Sequence, residues 1–109
     1  MDIQTQSAPE QGSVVLAGEL DIYGVAEANE TVRRVLNEAE QVEVDLHDVE
    51  AIGGAGLQML MAIKFEAVRL NRELLLRRHS AAVIEAIELV QLNAFFGDPV
   101  VLRAEASKI

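Results

Sequence analysis

The stretch Val42 to Phe65, VEVDLHDVEAIGGAGLQMLMAIKF, decides how the rest of this chain is read. Val42, Val44 and Leu46 alternate with Glu43 and Asp45, the period-two pattern of a strand with one face buried. An acidic turn follows, then a run of residues with almost no side chain, Gly53-Gly54-Ala55-Gly56, and an apolar helix beginning near Leu57. A strand that meets a helix through such a segment leaves backbone N–H groups open at a helix N-terminus, where a partner or an anion can approach closely. If the chain has a working site, it is expected there.

Working outward, alternation of strands and helices continues on both sides. Towards the N-terminus, Ser13–Leu20 is a compact apolar strand, preceded by a weak strand near Ile3 or a flexible lead. Asp21 is placed to cap a helix over 22–39, in which Val25, Ala28, Val32, Val35, Leu36 and Ala39 recur at three- and four-residue steps. Towards the C-terminus, the second helix runs over 57–70 and Leu74-Leu75-Leu76 has the density of a central strand. Ser80 is the natural N-cap of a third helix over 81–90, with Val83, Ile84, Ile87 and Val90 as its apolar stripe. A turn at Gly97-Asp98-Pro99 leads to a terminal strand, Val100–Leu102. This order predicts an α/β domain, a mixed and mainly parallel sheet of four to five strands packed by three to four helices.

Composition limits what such a domain does. At 109 residues the chain is one domain with one core, and 50% of its residues are hydrophobic. It has no cysteine, which removes disulfides, thiol nucleophiles and the usual structural zinc sites. No apolar run reaches the roughly 20 residues of a membrane span, and the first residues lack the pattern of a signal peptide, so a soluble cytoplasmic protein with no membrane insertion is expected. A net charge of −9 repels phosphate backbones, so no nucleic acid is expected as partner. Arg77-Arg78-His79, with Arg72 close by, is a local exception, read as a strand end meeting solvent.

Three chemistries could use the glycine segment. It matches neither G-x-G-x-x-G nor the Walker pattern, and Asp45, Asp48 and Glu50 lie near it, so phosphate cradling has little support. Asp45, His47 and Asp48 are close in sequence, but strand alternation divides them between two faces; neither a metal site nor an enzyme's acid–base pair is expected, and no cofactor. A protein-docking surface fits best. Helix 57–70 places Leu57, Met61, Phe65 and Val68 on one arc and Met59, Leu60, Ile63, Ala67 and Leu70 on another, a wider apolar coverage than one sheet-facing stripe requires. Met59, Met61 and Phe65 are the candidates to face a partner.

These residues resemble a STAS domain, the module shared by anti-sigma factor antagonists and the cytoplasmic ends of sulfate transporters. Val15-Leu16-Ala17-Gly18-Glu19-Leu20-Asp21 is similar to the family's strand ending in G-x-L-D. Val44-Asp45-Leu46, followed by Val49, Ile52 and Ala55-Gly56-Leu57, is similar to its motif D-L-S-x-V-x-x-I-D-S-x-G-L. The likeness covers about residues 13–102 and implies a partner switch, in which the unphosphorylated domain binds an anti-sigma kinase and phosphorylation of the motif serine releases it. Here Gly53 and Gly54 occupy the positions of the family's Asp-Ser pair, and His47 that of the earlier serine, so no phosphorylation is possible at position 54. The expected function is a non-enzymatic interaction module docking through Asp21, Asp48, Gly53, Gly54, Ala55, Gly56, Met59, Met61 and Phe65. Its partner would be an anti-sigma kinase-like protein, a chemotaxis-type complex or a transporter ATPase. A small anion or lipid-like ligand at the same helix N-terminus is the alternative.

Overall fold

The structure, a computed structural model, describes residues 1–97, and side chains through residue 91. Within them the chain runs β1 (Asp2–Ser7), β2 (Gln11–Leu20), α1 (Val25–Glu38), β3 (Gln41–Ile52), α2 (Gly54–Arg69), β4 (Glu73–Arg77) and α3 (Ala81–Gly97). The strands form one mixed sheet in the order β1-β2-β3-β4, with β1 antiparallel to β2 and the other two pairings parallel. Each parallel step is closed by a helix. Right-handed crossovers taken in one direction along a sheet put α1 and α2 on the same face.

That face holds the core. Val14, Leu16, Val42, Val44, Leu46, Leu74 and Leu76 point into it and meet Ala28, Val32, Val35 and Leu36 of α1 and Leu57, Leu60, Ile63 and Ala67 of α2. Alternate residues, among them Ser13, Glu43, Asp45 and Arg77, occupy the open face. There Arg77 pairs with Glu43 at 3.4 Å and Arg78 with Asp45 at 2.7 Å. The basic run at 77–78 is thus matched by acids of β3, and Arg72 lies at the opposite end of β4, so the four residues form no common patch. Arg78 reaches Asp45 from a left-handed backbone position, φ +52°, just past the strand end. Its guanidinium, with the His47 N–H at 2.9 Å, holds the Asp45 carboxyl below its ordinary range.

Four boundaries differ from the sequence reading, each for a local reason. Strand β3 does not end at Leu46; it runs on to Ile52 and there is no acidic turn. Between Val15 and Ala17, and again between Gly18 and Glu19, β3 holds one residue more than β2, so the pairing carries two bulges. Burial then falls on Leu46, Val49 and, in part, Ile52, at steps of three, which breaks the alternation used to recognise a strand. At the second shift Gly18 has φ +102°, a conformation L side chains rarely adopt.

Helix α1 begins at Val25, not Ile22. Asp21 is not its N-cap. Its Oδ1 accepts the N–H groups of Tyr23 (2.9 Å) and Gly24 (3.1 Å), while its C=O accepts the Val25 N–H, so the carboxylate organises the turn that delivers the chain to the helix. Helix α2 starts at Gly54, one turn before Leu57, since glycine costs helix stability without forbidding it. Ser80 caps α3 as expected, its Oγ accepting the Val83 N–H at 3.2 Å. That helix continues to Gly97, past the expected end at Val90; Val83 and Ile87 are buried, whereas Ile84 and Val90 are exposed. The strand expected over Val100–Leu102, and the turn at 98–99, lie outside the described residues.

Candidate docking surface

Strands β2 and β3 end side by side, Leu20 opposite Ile52, and this register brings two loops together. The Gly53 N–H donates to the Leu20 C=O at 3.2 Å, setting the Asp21–Gly24 turn beside the start of α2. Gly53 is extended, φ −98°, and offers no side-chain cap; its C=O accepts the Leu57 N–H at 3.0 Å. The first turn of α2 has no acidic residue.

The three glycines here are not equivalent. A Cβ on Gly56 would stand 2.3 Å from the Leu20 carbonyl oxygen and 2.9 Å from Ile52 Cγ1, so close packing of α2 on β2 excludes any side chain. A Cβ on Gly53 or Gly54 would meet nothing within 4 Å. Neither space nor backbone conformation inside the domain demands glycine at those two positions. Ala55 is half-buried between them and Gly56.

From Gly54 the outward face of α2 reads Gly54, Gln58, Met61, Phe65 and Val68, at steps of four, three, four and three, one stripe along the whole helix. Met61 is 41% exposed, Phe65 72% and Val68 76%. Two polar residues of α2 are engaged by the domain: Lys64 Nζ donates to the Leu74 C=O at 3.1 Å, and Glu66 meets Arg33 of α1 at 3.2 Å and Arg69 Nε at 3.1 Å. Arg69 and then Arg33 hold the Glu66 carboxyl below its ordinary range. Apart from Gln58 and Arg69, the large side chains that α2 turns to solvent, Met61, Phe65 and Val68, are apolar.

Two expected members do not belong to this surface. Met59 is 4% exposed and lies in the core, where it packs with Leu60 and Ile63; the helix phase that exposes Met61 buries it. Asp48 is exposed on β3 opposite Ala17, three to four strand positions before the Leu20–Ile52 end, so roughly 10–13 Å short of that end at strand rise. Ile22 and Tyr23 were missed: both stand exposed in the turn that Asp21 organises, next to the start of α2. Their signal in the sequence was two large apolar side chains between Asp21 and Gly24. Among the described residues no three His, Asp or Glu side chains come together as a metal would need, and no helix is long and apolar enough to cross a membrane.

The architecture is similar to solved structures whose sequences differ widely. The anti-sigma factor antagonist SpoIIAA in its unphosphorylated form matches with a TM-score of 0.65 at 13% identity, over 81% of this chain and 83% of that one. An anti-sigma factor antagonist from Mycobacterium paratuberculosis gives 0.69 at 20% identity, over 84% and 79%. SLC26A9 gives 0.65 at 10% identity, over 84% of this chain but 17% of its own. At these identities the likeness is one of fold. Sequence comparison with the curated proteins finds no match. The family model described as "Mlab, STAS domain" covers residues 3–102, nearly the whole of the alternating strands and helices traced above, and the chain therefore belongs to the STAS-domain family.

Proposed function

We propose that this domain is a non-enzymatic interaction module of bacterial signalling, similar in role to an anti-sigma factor antagonist, which docks a regulatory protein on the outward face of α2 and the Gly53–Gly54 step. One observation carries this reading: α2 buries a full apolar face on its own sheet and still exposes Met61, Phe65 and Val68 in a stripe continuous with two glycines that nothing in the domain requires. Without side chains at 53 and 54, a partner reaches the backbone directly. With no hydroxyl at 54, the covalent switch the family resemblance implies has no acceptor at that position. The partner is an anti-sigma kinase-like protein, a component of a chemotaxis-type complex or a transporter ATPase, and the domain works in the cytoplasm.

Affinity capture from the native cell tests this with three baits: the natural chain, Gly54→Glu and Phe65→Asp. Both substitutions fall on open surface, so thermal melting should be unchanged within a few degrees. The protein retained by the natural chain is expected to be depleted at least tenfold by each variant, as for an interface centre worth about 1.4 kcal/mol or more. A partner held equally by all three baits places docking elsewhere. Its identity also separates the three partner classes.

A further inference from the structure

Among the described residues, strand β1 is an edge of the sheet, paired with β2 on one side. Natural sheets guard such edges with lysine, proline, bulges or very short strands. Asp2–Ser7 has none of these: DIQTQS contains no Lys or Pro, spans six residues and pairs with β2 in unbroken register. Its backbone polarity can be assigned. The Ala8 N–H donates to the Gln11 C=O at 2.9 Å, which marks that pair as hydrogen-bonded, and pair types alternate along an antiparallel ladder. Asp2, Gln4 and Gln6 therefore bond to β2, while Ile3, Thr5 and Ser7 direct their N–H and C=O groups away from the sheet.

We propose that this edge pairs with β1 of a second copy of the chain, antiparallel about a twofold axis perpendicular to the sheet, to give one sheet continuous across a homodimer. Such an axis keeps every residue on its own face, so opposed positions must both be odd or both even. The register that engages all three outward residues sets Thr5 against its own copy, Ile3 against Ser7, and Gln4 against Gln6. The charges fit this self-pairing. Asp2 is the one charged residue of β1 and falls opposite Ala8, so no carboxylates face each other, while the Gln4 and Gln6 amides meet as donor and acceptor on the open face. Each copy carries a net charge of −9, so long-range repulsion opposes the pairing and added salt strengthens it. The stripe on α2 is not used, and the two surfaces can be tested apart.

The absence of cysteine makes a direct test available. In a hydrogen-bonded antiparallel pair the Cα atoms are about 5.5 Å apart and the Cβ atoms up to about 5.5 Å, wide for a direct disulfide but within reach of a short bifunctional thiol crosslinker. Thr5→Cys treated with a short bis-maleimide is expected to form a covalent dimer, whereas Asn37→Cys, on the exposed side of α1, is not. Thr5→Pro removes an outward N–H and leaves the ladder to β2 intact, so sedimentation equilibrium should show dimerisation weakened at least tenfold. A natural chain that stays monomeric up to about 1 mM, or a Thr5→Cys chain that crosslinks no faster than Asn37→Cys, overturns the proposal. Capture of a different protein's strand on β1 does the same.

Discussion

Helices α1 and α2 lie on the same face of the same sheet, each closing a parallel crossover, yet they divide their residues differently. Helix α1 buries Ala28, Val32, Val35 and Leu36 and turns Glu27, Glu30, Arg34 and Glu38 to solvent. Helix α2 buries Leu57, Met59, Leu60, Ile63 and Ala67 and turns Met61, Phe65 and Val68 outward. A helix with a charged outer face is complete once it rests on its sheet. A helix with a second apolar stripe carries more apolar surface than its own domain covers. The sheet fixes the inner face of both, so the outer faces are where the two helices differ in purpose.

The sharpest break in this comparison lies across α2 itself. Leu60→Ala empties a fully buried site and should cost about 2–5 kcal/mol, whereas Phe65→Ser, on the outer stripe, should change stability by no more than about 0.5 kcal/mol. Urea denaturation reads both, and equal losses would mean that the two faces of α2 are not distinct. The glycines sharpen the same contrast on a smaller scale. Gly56→Ala drives a Cβ into the Leu20 carbonyl and should cost about 1–3 kcal/mol or more, while Gly54→Ala meets nothing and should stabilise by about 0.4–1 kcal/mol through a stiffer unfolded chain. A destabilising Gly54→Ala would show that the domain, and not a partner, requires that glycine.

The smallest effect concerns the link between the helices. Glu66 sits between Arg69 and Arg33, which hold its pKa below the unfolded value. Stability from such a group is present above the unfolded pKa and lost as pH falls through the lower, folded one. Glu66→Gln should therefore be less stable than the natural chain at neutral pH, and the gap should close as pH falls below the ordinary carboxylate range. A gap that stays constant down to pH 2 would assign the role of Glu66 to packing rather than to its charge.

Much of the fold was readable in the sequence, and the places where it was not have one kind of cause. Helix α1 and the Ser80 cap were legible because a clean period or a short-range hydrogen bond marks each; β4 was legible as a strand from its apolar run, but among the described residues it lies at the end of the sheet and not at its centre as expected. The length of β3 was hidden because its bulges answer to pairing with β2, a partner more than twenty residues away. The turn at Asp21 was read as a helix start because the same carboxylate serves either by accepting nearby N–H groups. On α2, Met61 and Phe65 are exposed as expected, but Met59, expected with them, is core. A helix with apolar residues on most of its circumference has no pattern that says which side meets the sheet.

By itself the sequence determined the alternation of strands and helices, the apolar core positions of α1 and the lack of a hydroxyl at Gly54, because these depend on local period and residue identity. Only the tertiary structure decided the phase of α2, the exposure of Ile22 and Tyr23, and the difference between Gly56, which cannot bear a side chain, and Gly53 and Gly54, which can. Those depend on which surfaces of the chain lie against one another, and contact of that kind is set by strands and helices far apart in sequence.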